Sequence, residues 1–243
     1  ENPINNRLLP AVKQGGFCRD DLFIWCGSVI KGEDGRFHMF ASCWEKELGF
    51  GANWLFNSRV VRAVSDTPEG PFRLEETVLP RRGRQYFDGM NTHNPYIRYW
   101  NGKYYLYYMG TTYGCPVPTH MDQISSELFT EVWNKKRIGL AVSHSVFGPW
   151  ERRNTPLLEP RDCSYWDCTA TTNPAVAILE DGRTYMLYRS RSYDNATLQI
   201  GVAMAERPDG EFRRISEEPV LSFDNPDFHL EDPYLWYEGG KFR

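Results

Sequence analysis

Several common signatures are missing from this 243-residue chain, and each absence removes a class of protein. Six cysteines stand at positions 18, 26, 43, 115, 163 and 168 with no Cys-x-x-Cys pair among them, so zinc-ribbon and thioredoxin-type sites are excluded. Their even number permits disulfides, but a chain of this size can bury a core without them, and mostly free, buried thiols are expected. There is no run of 18 apolar residues to span a membrane. There is no basic excess either: the net charge of −4 leaves no electrostatic footprint for nucleic acid. The chain opens on Glu1-Asn2-Pro3 without an initiator Met or signal peptide, and the expectation is a leader removed or trimmed.

What is abundant is aromatic. Fourteen Tyr, 14 Phe and 8 Trp make 15% of the chain, a content that suits pleated strands and equally suits surfaces that bind sugars. Many of these rings fall in a repeat. Tyr86-Phe87-Asp88-Gly89-Met90-Asn91-Thr92-His93-Asn94-Pro95 returns as Tyr165-Trp166-Asp167-Cys168-Thr169-Ala170-Thr171-Thr172-Asn173-Pro174. A hairpin pattern follows each copy, turning at Gly102-Lys103 and at Gly182-Arg183. An internal repeat of this length indicates an array of supersecondary units.

The first unit reads as strands over 23–30 and 36–41 around a Gly32–Gly35 turn, a third over 59–65, and a fourth after Asp66–Phe72. Hairpin 96–108 with strand 138–143, and hairpin 175–188 with strand 200–205, repeat that grammar. Four short strands per unit predict an all-β fold, a β-propeller of four-stranded blades. The blades fall at approximately 17–80, 81–160 and 161–222, with a partial one at 223–243. The whole chain, 1–243, is expected to be a single β-propeller domain, incomplete at its C-terminus after the start of blade four. It would be a portion of a longer propeller, or a homo-oligomer in which a partner completes the open edge. Between 109 and 137 the β pattern breaks, and Met121, Ile124, Leu128 and Val132 recur at helical spacing. That predicts a short amphipathic helix, packed on a blade's outside or rim, or forming a lid at the channel mouth.

Aligning the hairpin glycines Gly35 and Gly102 sets Ser28 opposite Pro95 and Asp21 opposite Asp88. Asp21, Asp88 and Asp167 then occupy one position in three blades, before the innermost strand and facing the axis. The fourth unit has Pro226 there but offers Glu231 and Asp232 before Pro233. Carboxylates gathered in one funnel suit glycoside hydrolysis, in which one carboxyl donates a proton and a second acts as base or nucleophile. The candidate roles are Asp21 as base or nucleophile, Asp88 and Asp167 as pKa modulator and substrate ligand, and Glu231 as general acid. An Asp before a turn also caps backbone N–H groups, and repeats copy structural residues as faithfully as catalytic ones.

His93 reads as a hydrogen-bond donor to sugar hydroxyls or a ligand for a central ion, and His229 as a proton donor or a loop residue. Trp44, Trp54, Trp166 and Tyr165 offer faces for stacking on sugars. Arg189 and Arg191 can clamp an anionic sugar or pair with carboxylates in the channel, where Asp232 is a further ligand for substrate. No cofactor is required, although a structural Ca²⁺ or other ion could sit in the central channel.

Three motifs together resemble the five-bladed β-propeller glycoside hydrolases of families 43, 32, 62 and 117. They are the (Asp/Asn)-Pro opening of an innermost strand, the Gly-(Lys/Arg)-x-Tyr-x-hydrophobic-Tyr hairpin, and the Ile-Gly-x-Ala-x-Ser…Gly-Pro-aromatic close. The resemblance covers the chain after residue 17. It implies cleavage of furanosides or pyranosides in plant or algal polysaccharides, by bacterial proteins placed in the periplasm or secreted. The chain departs from those families where they place Asp before Pro: it has Cys26-Gly27-Ser28 in the first unit and Asn in the next two, and only Asp232-Pro233 keeps the pattern. Two other classes stay open. A non-catalytic glycan-binding propeller would tolerate loss of the carboxylates, and a glycoside phosphorylase would need a phosphate pocket, for which Arg189 and Arg191 are candidates.

Overall fold

The hairpin grammar becomes sheets in the computed structural model, which describes residues 8–194, 197–223, 225 and 228–243. Pro3 of the lead-in and Pro226 of the fourth unit lie outside the described residues. Strands β1 (Leu22–Lys31), β2 (Phe37–Glu45), β3 (Arg59–Ser65) and β4 (Arg73–Leu79) form one antiparallel sheet in chain order, with a short helix α1 (Asn53–Phe56) between β2 and β3. The second sheet holds β5 (Asn91–Trp100), β6 (Lys103–Thr111), β7 (Arg137–Ser143) and β8 (Glu151–Arg152), with helix α2 (Ser126–Asn134) inserted before β7. The third holds β9 (Thr172–Ile178), β10 (Thr184–Ser190), β11 (Gln199–Ala205) and β12 (Arg213–Arg214). A last hairpin pairs β13 (Tyr237–Glu238) with β14 (Lys241–Phe242).

The first strand of each sheet lies toward the axis, with β5 packed between β1 and β9. Sheets meet face to face, and the core fills the spaces between them. Phe40, Val60, Ile97 and Leu106 join the first sheet to the second, and Tyr107, Ile138, Val176 and Met186 join the second to the third. Burial of these apolar faces holds the sheets together, and hydrogen bonds such as Asn94 N–H to Ser42 Oγ at 2.9 Å and Ile97 N–H to Ser28 Oγ at 3.1 Å fix their alignment.

Each innermost strand carries the same irregularity. The ladder shifts register between Trp25 and Ser28 in β1 and between His93 and Tyr96 in β5, and the β9–β10 ladder shifts between Leu187 and Arg189. At these bulges Cys26, Asn94 and Asn173 adopt left-handed backbone, with φ of 52°, 48° and 50°. Asn is the non-glycine residue best suited to that region. The shared conformation puts Cys26 opposite Asn94, one residue away from the pairing given by the hairpin glycines. The reason is loop length: β1 and β2 join through Gly32–Arg36, whereas β5 and β6 join through Asn101-Gly102 alone.

Two further expectations need correction. The helix is shorter than its apolar spacing suggested, because Met121 falls in a separate 3-10 turn and the helix starts only after Ser125, whose Oγ accepts the Leu128 N–H at 3.2 Å. It packs against Leu55, Phe56, Met90 and Tyr113 at the rim of the second sheet. All six cysteines are free, but only Cys43 and Cys168 are fully buried, while Cys18 and Cys163 are exposed.

Candidate active site

The bulges aim one residue from each unit at the axis. Asn94 Nδ2 donates to Asp232 Oδ1 at 2.9 Å and lies 3.2 Å from Cys26 Sγ, and Asn173 Nδ2 donates to the same Asp232 oxygen. These four residues make a neck. On one side of it a cavity of about 330 Å³ runs along Pro95, Tyr96, Pro174 and Tyr234. On the other, where the innermost strands begin, a cavity of about 180 Å³ opens under an aromatic bowl.

The bowl is built by β1, β2, α1 and α2. Trp25, Trp44 and Phe50 stand together on one wall, with ring centroids 5.5 and 5.6 Å from Phe50. Trp54 meets Trp133 edge to face at 5.6 Å and 85°. His93 lies beneath, 5.4 Å from Trp54, with Nδ1 2.7 Å from Ser58 Oγ. Full burial, reinforced by Lys136 and Arg189, pushes its pKa down to about 3, so His93 is a neutral hydrogen-bonding group in the bowl. The polar wall is Arg189, whose Nη1 pairs with Glu231 Oε1 at 2.9 Å. Arg189 is buried while Glu231 stays half exposed to the cavity.

The structure thus gathers Trp44, Trp54, His93, Arg189, Glu231 and Asp232 into one site. Arg191 sits at its edge, 5.1 Å from the Trp133 ring. The repeated aspartates go elsewhere. Asp88 is wholly buried: its Oδ1 accepts from Arg82 Nε at 2.8 Å, and its Oδ2 from Arg152 Nη2 at 2.6 Å and from the Tyr108 hydroxyl. Asp167 repeats the arrangement with Arg161 at 2.6 Å, Arg214 and the Tyr188 hydroxyl at 2.8 Å. Both oxygens of each carboxylate are engaged by fixed donors, two arginines and a tyrosine in each unit, and neither aspartate lines the aromatic bowl, so both act as structural latches. Asp21 belongs to no such set. It is an exposed residue before β1, paired with its neighbour Arg19 at 2.7 Å and outside the funnel.

Trp166 and His229 also leave the site. Trp166 stacks on Tyr188 at 5.9 Å and 16° and donates Nε1–H to the Glu217 carbonyl at 3.1 Å. Tyr165 is covered by the Arg161 guanidinium at 3.9 Å. His229 Nδ1 accepts the Leu198 N–H at 3.2 Å, tying two loops together. For a central ion, the neck offers one carboxylate already held by two amide donors. Among the described residues, no three His, Cys, Asp or Glu side chains converge to hold a metal.

Sequence reasoning missed Cys26, Asn94 and Asn173 as axial residues, and Trp25, Trp133 and Lys136 around the bowl. The Asn-Pro repeat carries a signal for two of them, since it places Asn94 and Asn173 at one equivalent position in two units.

No protein-family model matches the chain, and no curated protein does. Solved structures match well. A family 117 glycoside hydrolase from the marine bacterium Zobellia galactanivorans superposes with a TM-score of 0.67 at 18% identity, over 86% of this chain and 60% of its own. An exo-1,5-α-L-arabinanase from a bovine ruminal metagenomic library gives 0.56 at 16%, over 93% and 66%. An arabinanase from Bacillus subtilis gives 0.55 at 18%, over 90% and 64%. The chain has the β-propeller fold of these glycoside hydrolases. It spans about three fifths of the length of the first of them.

Proposed function

We propose that the chain binds an oligosaccharide of plant or algal type in the axial funnel and hydrolyses a glycosidic bond there. One observation carries this reading: Glu231 and Asp232 are presented side by side at the base of an aromatic bowl. Indole rings take the apolar faces of pyranose or furanose rings, and His93, Arg189 and the two asparagines offer partners for hydroxyls. Asp232, whose Oδ1 is held by two amide donors, is fixed in orientation at the axis and suits the base or nucleophile role. Glu231 is then the proton donor. Arg189 engages the Glu231 carboxyl in an ion pair, so this role requires Arg189 to turn toward the ligand during binding. A polar oligosaccharide released from extracellular polysaccharide fits a place in the periplasm or outside the cell.

A second reading, glycan binding without turnover, is favoured by the identity of the other three neck residues: Cys26, Asn94 and Asn173 carry no carboxyl group. One experiment separates the two. Arabino- and xylo-oligosaccharides are titrated against the full chain by calorimetry, and reducing ends are followed with and without phosphate. The expected result is phosphate-independent hydrolysis that Asp232→Asn and Glu231→Gln each reduce by at least about a hundredfold while binding persists. Binding without hydrolysis in the unmodified chain assigns the non-catalytic function, and undiminished hydrolysis by Asp232→Asn removes Asp232 from the chemistry.

A further inference from the structure

Three cations surround one indole ring. Lys136 Nζ lies 2.9 Å from the centroid of Trp133 and 5.5 Å from that of Trp54, and the guanidinium carbons of Arg189 and Arg191 lie 5.4 and 5.1 Å from Trp133. Among the described residues, the carboxylates within reach do not balance them. Glu231 pairs with Nη1 of Arg189, and Asp232 is occupied by Asn94 and Asn173. Lys136 is completely buried with no hydrogen-bond partner at Nζ, and the buried Nε–H of Arg189 has none either.

An unpaired buried cation is costly, and the faces of Trp54 and Trp133 offset only part of that cost. Burial and the two neighbouring arginines accordingly push the Lys136 pKa well below its ordinary value. What such a site lacks is an anion. Helix α2 delivers Trp133, the next residues deliver Lys136, and the end of β10 delivers Arg189 and Arg191, so the deficit lies against the wall of the saccharide bowl.

We propose that the funnel selects saccharides bearing an anionic group, a carboxylate or a sulfate ester, seated beside Trp133 where Arg189 and Arg191 meet, with Lys136 on the buried side of the ring. This rests on the saccharide-binding reading and narrows it to acidic sugars. Guanidinium groups hold such oxygens with paired hydrogen bonds, and a low-dielectric wall strengthens the attraction. An anion that engages Arg189 also draws it from Glu231, which frees the Glu231 carboxyl from its ion pair. The ligand's own charge thereby prepares the proton donor.

The test is calorimetric binding of three matched trisaccharides to the full chain: one neutral, one carrying uronate carboxylates and one carrying sulfate esters. One anionic form is expected to bind at least about tenfold more tightly than the neutral one, with a preference that shrinks as salt is raised. Which anionic form binds tighter identifies the source of the charge. In Arg191→Gln, and separately in Lys136→Met, which keeps the stem and fills the same space, the preference is expected to fall by about tenfold. Equal affinity for neutral and anionic forms overturns the inference and leaves saccharide binding standing. Failure of all three to bind overturns both.

Discussion

His93 shows how burial sets the chemistry of a single side chain. Its ring is enclosed by Trp44, Trp54 and Ser58, and two cations face it, Lys136 and Arg189. The unfolded chain takes up the imidazole proton near pH 6.5, and the folded one only near 3. Between those values the unfolded state binds more protons, so this contribution is complete above about pH 6.5 and is lost as pH falls through the window. The slope is about 1.4 kcal/mol per pH unit. Denaturant midpoints measured from pH 7 to pH 4 are expected to fall less steeply in His93→Gln than in the unmodified chain; parallel curves would show that His93 does not titrate this way. The sequence names His93, Trp44, Trp54, Arg189 and the Glu231-Asp232 pair by residue type, and the fold brings them to one cavity, whereas Trp25 and Trp133 gave no such signal. Asp88 and Asp167 misled for a physical reason. A carboxylate repeated before an innermost strand looks the same whether it faces a funnel or a pair of arginines, and only the partners differ. Arg152 and Arg214, on the outermost strands, are far from those aspartates in sequence.

At the scale of the element, the latch explains a motif. Gly139 in β7 and Gly201 in β11 supply the Ile-Gly-x-Ala pattern, and a Cβ on either would come within 2.5 Å of the ring of Tyr108 or Tyr188. Those are the tyrosines whose hydroxyls hold Asp88 and Asp167. The first sheet has Val60 and Val61 at the start of its third strand and carries no such latch on Asp21. Asp88→Asn leaves Arg82 and Arg152 short of a buried counter-charge and is expected to cost about 3–5 kcal/mol of unfolding free energy. Saccharide binding per folded molecule is expected to be retained. Loss of binding or turnover in a variant of normal stability would return Asp88 to the functional site. Gly139→Ala is expected to destabilise in the same direction by displacing Tyr108. The strands themselves were legible, because alternating apolar runs and Gly turns specify hairpins locally. The insertion was legible as a helix, on the blade's outside or rim or as a lid, but not which of its residues face the bowl: it occurs once, so no second copy reveals them.

Across the whole molecule, the acidic residues depend on a segment with little structure of its own. Residues 228–236 contain no helix or strand, and their position is set by neighbours. Leu235 exchanges hydrogen bonds with the Tyr96 hydroxyl at 2.8 and 3.0 Å and accepts from Arg98 at 2.9 Å, while Leu230 N–H donates to Leu198 at 3.1 Å. Arg98 also reaches Val176 in the third sheet at 2.8 Å. A single guanidinium therefore ties two sheets and the segment bearing Glu231 and Asp232. Hydrogen bonds to a charged donor are worth about 1.5–3 kcal/mol each. Arg98→Ala is expected to accelerate amide exchange at Leu235 and to weaken saccharide binding by at least about tenfold, although Arg98 lines neither cavity. Unaltered exchange at Leu235 would mean that the segment is held by other contacts. This coupling was not visible in the sequence, since it joins residues more than a hundred positions apart.

The bulge in each innermost strand has a consequence for how such a protein changes over time. The left-handed turn at positions 26, 94 and 173 aims whatever residue stands there at the axis, and the turn is a property of the strand rather than of its side chain. Asp tolerates that conformation about as well as Asn. A single-nucleotide change of Asn to Asp at position 94 or 173 therefore keeps the backbone turn while exchanging an amide donor to Asp232 for a second carboxyl group in the neck. Duplicated units of this kind hold their reactive positions as exchangeable fittings, and new chemistry can arise in one unit while its siblings keep the old.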